Sequence, residues 1–298
     1  MPQPMIYVVI LNWNLKQDTA GCVASVLQST YPSYRVLVVD NGSSDGSAQY
    51  LRRSFPSIEI IVNPANLGFA AGNNVGIRHA LDKGADYVLL LNNDTTVDLG
   101  MLAQLAACAS ADENIGVVGP KIFYYQDRDR IWRLGDRIHA WLPVPLSVGR
   151  DQLDRGQFCE PFDLDYVTFC GALLRRSTLE SVGLLDERFF FTYEDAEFCQ
   201  RSRAAGYRIV CEPRAHMWHK VSLSAQKDQA HIRYLKSKSR AIFYRRYPHG
   251  PHPWLTAAYL WLNTLGTAAV TALRGDVELA KCTVRGLHDG YRERLEAS

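Results

Sequence analysis

Two short acidic clusters in the 298-residue sequence carry side chains that could do chemistry together: Asn92, Asn93 and Asp94 in YVLLLNNDT, and Glu194 and Asp195 in FFFTYEDAEFCQRSR. A carboxylate at the tip of a buried strand is placed to meet a phosphate-bound cation or a substrate, and amides beside it can hydrogen-bond the same ligand. A carboxylate opening a helix can receive the proton of an attacking hydroxyl. Each cluster also has a plainer reading. The first could be an Asx-rich turn capping the next helix, and the second could merely satisfy the positive end of a helix dipole.

Other polar groups recur at the ends of apolar runs. Asn12, Trp13 and Asn14 end the first run, and Asp40 ends the second in VVDNGSSDGS. A carboxylate there can accept the imide N–H of uracil or thymine while Trp13 stacks on the ring, although Asp40 and Asn41 could equally form an Asx turn. The loop NPANLGFAAGNNVGI, residues 63–77, has small residues that allow close backbone approach to a sugar or phosphate. Glycines also serve tight turns and helix packing. It matches neither a GxGxxG fingerprint nor a Walker A loop, which disfavours dinucleotide redox and P-loop chemistry.

The elements that must position these groups alternate. Apolar runs at Ile6–Leu11, Arg35–Val39, Ile58–Val62 and Tyr87–Leu91 read as strands, with helices at Asp18–Gln28, Ser44–Ser54, Ala70–Lys83 and Leu99–Ala109 and a further run at Ile115–Val118. That rhythm predicts an α/β fold with a parallel, doubly wound sheet, and ligands collect at the carboxyl ends of such strands. Residues 122–165, with Tyr124, Tyr125, Trp132 and Trp141, read as acceptor-side loops and short strands.

A net charge of +2 gives no global case for nucleic acid, and seven scattered cysteines without a CxxC pair exclude a disulfide framework or zinc cluster and point to a reduced compartment. The opening MPQPMIYVVILNWN lacks a basic n-region and reads as a first strand, not a signal peptide.

Taken together, VVILNWN, VVDNGSSDGS, NLGFAAGNNVGI, LLLNNDT and VGLLDERFFFTYEDAEFCQRSRAAGYRI resemble glycosyltransferase family 2, nearest its bacterial rhamnosyltransferase-like members, over residues 5–245. The resemblance implies a GT-A fold, a UDP- or dTDP-sugar donor, a divalent metal (Mn or Mg) and inversion at the anomeric carbon. It places Trp13 and Asp40 at the base, with Asn12 among the donor-binding residues, Asn66, Gly68 and Asn74 at the ribose and diphosphate, and Asn92, Asn93 and Asp94 on the DxD motif. Since the first motif position is Asn, Asp94 is its single strong metal ligand. His219, in EPRAHMWHKVS, falls on a family histidine that can reach the metal, while Asp195 falls on the catalytic base, with Glu194 holding an acceptor hydroxyl or orienting its neighbour.

Residues 1–246 are therefore expected to form the catalytic domain, and 247–298 a helical appendage. The basic stretch Lys227–Arg246 and the uncharged stretch Trp254–Leu273 lead us to expect a glycan or lipid-linked acceptor and contact with the cytoplasmic face of the plasma membrane without crossing it. The alternative for the uncharged stretch is that it folds back onto the catalytic domain or forms a homodimer interface. A nucleotidyltransferase and a silent nucleotide-sugar-binding or glycan-binding protein are the competing functional classes.

Overall fold

The computed structural model describes residues 3–139, 143–221, 229–249 and 252–294; Trp141 and Lys227 lie outside these. The chain groups into two compact units, one of Met1–Arg137, Ser147–Glu187 and Asp195–Leu223, the other of Ile138–Leu146, Arg188–Glu194 and Ser224–Ser298.

The first half alternates as expected: β1 Ile6–Asn12, α1 Lys16–Val26, β2 Tyr34–Asp40, α2 Ser47–Ser54, β3 Glu59–Val62, α3 Phe69–Asp82 and β4 Tyr87–Asn92. After it come β5 Thr95–Val97, α4 Met101–Ala111, β6 Ile115–Tyr124, β7 Ile131–Arg133, β8 Gly135–Ile138, β9 Pro145–Val148, β10 Phe162–Leu164, β11 Gly171–Arg175, α5 Arg176–Val182, α6 Glu194–Ala204 and β12 Arg208–His219. The central strands are buried on both faces, which is why they read as continuous apolar runs. Along β1, Ile6, Val8 and Ile10 join one core layer with Val23 of α1 and Leu105 of α4. Tyr7 and Val9 join the other with Ile77 of α3 and Phe198 of α6.

The sheet runs β10-β12-β6-β11-β4-β1-β2-β3, with β5 on β12 and β7 on β6, while β8 and β9 pair separately. Pairing is parallel from β3 through β2 and β1 to β4. Beyond β4 the sheet is mixed, because β11 lies antiparallel between β4 and β6. The cause is topological. The excursion between β6 and β11 leaves and re-enters the sheet at the end where β4 delivers Asn92, so β11 runs back against its neighbours.

The glycines of α3 serve helix packing. A Cβ at Gly72 would lie 2.7 Å from Leu11 Cδ1, and one at Gly76 would lie 2.4 Å from Val9 Cγ1. The helix is thus seated directly on β1.

In the second unit, α7 Gln229–Arg246, α8 Pro253–Leu273 and α9 Val277–Arg292 follow one another. Gly286 and Gly290 of α9 face α7 so closely that added Cβ atoms would stand 2.3 Å from Tyr234 O and 2.5 Å from Lys238 O. The cations of α7 largely serve this packing: Arg245 donates to Gly290 O and Glu293 O at the end of α9, Lys238 pairs with Glu293, and Arg240 donates to Asn263. They do not form one free basic stripe. Helix α8 is inside out: Thr256, Leu260, Thr264 and Ala268 are buried, while Trp254 is 64%, Leu262 72% and Leu273 88% exposed. Among the described residues no helix is long and apolar enough to cross a membrane.

Candidate active site

Asn12 knits three strand ends together. Its Nδ2 donates to Asp40 Oδ2 at 2.8 Å and to Ser43 Oγ at 3.1 Å, while its Oδ1 accepts from Thr19 Oγ1 at 2.7 Å and from Asn93 Nδ2 at 3.2 Å. Asn12 and Asp40 are almost wholly buried. The second oxygen of Asp40 accepts the Ser43 N–H at 2.8 Å, so the carboxylate also holds the turn that follows it, as the sequence allowed. A carboxylate oxygen has two acceptor sites, so these bonds leave capacity for a base N–H. Trp13 stands beside this cluster, 41% exposed, with its indole open to a ring.

Asn41, which the sequence offered only as a turn residue, organises the next loop. It donates to Asn66 Oδ1 and Gly68 O and accepts from Asn63 Nδ2 and Leu67 N. Asn66 also caps Gly68 N, and Gly68, at φ 84°, turns the chain into α3. Asn74 has another task. Its amide donates to Leu185 O and Glu187 Oε1 and accepts from Leu185 N, all at 2.9–3.0 Å. The side chain is spent clamping residues 185–187 to α3, so the structure does not bring it to the loop where the resemblance put it.

The NND motif divides its labour. Asn93 is tied to Asn12 and Thr19, and Asn92 is partly exposed with no hydrogen bond to its side chain among the described residues. Asp94 is buried, and its Oδ1 lies 3.1 Å from His219 Nε2. The pair meets because β5, immediately after the motif, aligns Thr95 with His219 at the end of β12. Trp132 holds the imidazole edge-on at 4.6 Å, and His219 Nδ1 is enclosed without a partner among the described residues. One carboxylate and one imidazole fit a Mg or Mn ion that takes its remaining ligands from diphosphate oxygens and water. Among the described residues no group of three or more His, Cys, Asp or Glu could hold a metal by itself.

Asp195 opens α6, where its carboxylate accepts the Ala196 N–H at 2.8 Å. Desolvation raises its pKa to about 6 against the opposing pull of that N–H, of the Phe169 N–H and of Arg133, and Asp136 pushes it further up. Glu194 is buried next to it. The Cys170 thiol relates the two centres: burial first, then the charges of Asp94 and Asp195, hold its pKa well above the ordinary value. Both carboxylates therefore act on one thiol. Asn41, Thr19, Trp132 and Arg133 were not singled out as site residues, and a β-branched hydroxyl seven residues after Asn12 was the available signal for Thr19.

Comparison with known proteins agrees with this geometry. A profile described as "Glycosyl transferase family 2" matches residues 7–183. The dTDP-rhamnosyl transferase RfbF of Shigella flexneri is 26% identical over 218 residues, covering 72% of this chain and 69% of that protein. The N-acetylglucosaminyl-diphospho-decaprenol L-rhamnosyltransferase of Mycobacterium tuberculosis is 29% identical over 242 residues, covering 74% and 78%. Among solved folds, GalNAc-T7 with UDP, GalNAc and Mn2+ superposes at TM-score 0.62 with 18% identity over 83% of this chain and 51% of that one. The mannosyltransferase PcManGT of Pyrobaculum calidifontis with GDP-Man and Mn2+ superposes at 0.60 with 17% identity over 99% and 89%. These likenesses favour neither a nucleotidyltransferase nor a silent binding protein. With its GT-A fold and its acidic centres at the strand ends, the chain belongs to glycosyl transferase family 2 and is a glycosyltransferase.

Proposed function

We propose that this enzyme moves a hexose, rhamnose in the first instance, from a dTDP- or UDP-sugar to a hydroxyl of a glycan or lipid-linked acceptor in cell-envelope synthesis, with inversion. The observation that carries this reading is the buried pairing of Asp94 with His219 at 3.1 Å, beside the strand ends that gather Asn12, Asp40 and Asn93. Asn12, Trp13 and Asp40 receive the base, Asn66 and Gly68 the ribose and diphosphate, and Asn92 and Asn93 the donor beside Asp94. As the acceptor oxygen bonds to the anomeric carbon, its proton passes to Asp195, and the electron pair of the broken carbon–oxygen bond leaves with the nucleoside diphosphate. Asp94 and His219 would hold a divalent cation, which would supply neutralisation of charge on the leaving group. Thermal stabilisation by dTDP-rhamnose, UDP-glucose and UDP-galactose with Mn, Mg or EDTA, followed by transfer assays, tests it. Stabilisation by none of the nucleotide-sugars, with or without metal, would sink the donor assignment.

For the helical region the reading is peripheral attachment to the cytoplasmic face of the membrane. Support comes from the outward apolar face of α8 and an apolar groove of about 730 Å³ between α8 and α9, lined by Trp261, Leu265 and Val284 and flanked by Lys281, Arg285 and His288. An apolar face with adjacent cations suits an anionic lipid surface. The expected contact, through Lys227–Leu273, thus keeps α8 and exchanges α7 for α9. A homodimer through α8 is the second reading, and liposome flotation beside a mass measurement in solution separates the two.

A further inference from the structure

His219 is the last residue of β12, so its reach to Asp94 depends on what fixes the chain around the strand end. Two backbone hydrogen bonds begin the task. The Tyr125 N–H donates to His219 O at 3.0 Å, and the Lys220 N–H donates to Asp94 O at 3.0 Å. Val221, at φ 52°, leaves extended geometry directly afterwards.

The side chain of Lys220 completes the fastening. Its Nζ donates to Asp18 Oδ1 at 2.6 Å, across 202 residues of sequence, and stands 5.0 Å from the centre of the Tyr125 ring. Asp18 lies in the first turn of α1, and its neighbour Thr19 bonds both Asn12 and Asn93. One turn of α1 therefore grips both sides of the metal corner. Thr19 holds Asn93, which precedes Asp94, and Asp18 holds Lys220, which follows His219.

An acidic residue in a first helical turn is favoured by the helix dipole, and an exposed ion pair contributes little. This pair differs in burial and in company. Its side chains are only 24% and 22% exposed, and the ammonium meets a carboxylate and an aromatic face at once. The backbone of the same lysine is bonded to the metal motif itself. Groups that orient metal ligands commonly govern metal affinity by about 10- to 100-fold.

Resting on the assignment of Asp94 and His219 to a divalent cation, we propose that Asp18 and Lys220 are positioning residues for that site. Their ion pair clasps the end of β12 to α1, presets the approach of His219 to Asp94, and so sets the affinity of the corner for its cation. Neither side chain ligates the cation or the donor in this assignment.

The test is Mn binding to the full chain, measured by calorimetry in the presence of UDP and again of dTDP, beside nucleotide affinity in EDTA. Lys220→Met and Asp18→Asn are each expected to weaken Mn binding about 10-fold. The double variant should bind no more weakly than the weaker single, because either change alone opens the clasp. Lys220→Arg, which keeps the cation, should recover most of the affinity lost in Lys220→Met. Nucleotide affinity in EDTA should stay at the wild-type value throughout. Unchanged Mn affinity in both single variants, or losses that add in the double variant, overturn the proposal. So does weakened nucleotide binding in EDTA, which in Lys220→Met alone would mark a ligand of the diphosphate and in both variants a loss of structure. No Mn binding by the wild type, or binding that Asp94→Ala leaves unmoved, removes the metal-site assignment itself. Binding that Asp94→Ala abolishes and the clasp variants leave unmoved removes only the clasp.

Discussion

Asn12 Nδ2 lies 2.8 Å from Asp40 Oδ2, and the two residues are register partners at the ends of adjacent parallel strands. The polar floor of the proposed donor site is therefore assembled by the sheet itself, before any ligand arrives. Its parts depend on one another, because the Asn12 oxygen simultaneously accepts from Thr19 and Asn93.

Asn12→Leu should accordingly weaken nucleotide binding and also destabilise the fold. It leaves the buried Asp40 carboxylate short of a donor, a loss of roughly 2–3 kcal/mol. Urea unfolding measures the stability, and calorimetry with UDP and dTDP measures the binding. An unchanged midpoint and unchanged affinities would show that the network is not shared in this way.

Asp94→Ala is expected to lower transfer by about 100-fold or more and to abolish the rate increase on adding Mn or Mg, because the motif has no second carboxylate. His219→Ala should weaken metal activation about 10- to 100-fold while leaving transfer at saturating metal nearer to wild type. Metal titrations of the initial rate check both. A wild-type metal dependence in Asp94→Ala would remove it from the cation site.

Asp195→Asn should cut transfer by about 100-fold or more and keep donor binding, since an amide preserves shape but accepts protons very poorly. The wild-type rate should rise as pH passes through about 6 and level off above it. Stability carries the same signature. A carboxylate whose folded pKa is raised contributes its stability below the unfolded value and loses it as pH climbs to the folded one. Asp195→Asn should thus match wild type in stability near pH 4 and exceed it near pH 8, by on the order of 1 kcal/mol. Thermal melts at the two pH values decide this.

Leu262→Glu and Leu273→Glu lie on the outward face of α8 and should leave the fold intact, since both side chains are mostly exposed. They are expected to abolish flotation with anionic liposomes, while transfer to a soluble acceptor stays within about twofold of wild type. Flotation that survives the double variant would take α8 out of the membrane reading.

Much of the catalytic unit was legible because a buried parallel strand writes itself as a continuous apolar run with its polar groups at one end. β1, β2 and β4 were read that way, and Asn12, Asp40 and Asp94 with them. The contact of His219 with Asp94 could be anticipated from resemblance alone, since 125 residues separate them. What stayed hidden depends on partners rather than pattern. Nothing in GALLR says that it enters antiparallel between β4 and β6, and nothing in Asn74 says that its amide is claimed by Leu185. Arg133 and Asp136 look like ordinary loop charges until one is found buried. The tail misled for a related reason: its basic residues were counted as a surface, yet Arg245 and Lys238 are occupied by α9. Thr256 and Thr264 of α8 turn inward, while its Leu262 and Leu273 turn out.

The antiparallel entry of β11 also constrains how the chain can be made. As the ribosome releases β1 through β4 and then β6, neither β4 nor β6 can find its missing neighbour, because Gly171–Arg175 is still to be synthesised. Until then β4 stands as an unpaired edge ending in the metal motif, a template on which another nascent chain could pair. The parallel half can collapse early, but Asp94 and Asp195, the proposed metal ligand and base, are not both in place until β11 closes the gap and α6 follows. Asp195 is synthesised after β11 but before β12 joins β6, so a chain stalled before residue 171 exposes an adhesive strand edge and lacks the proposed base.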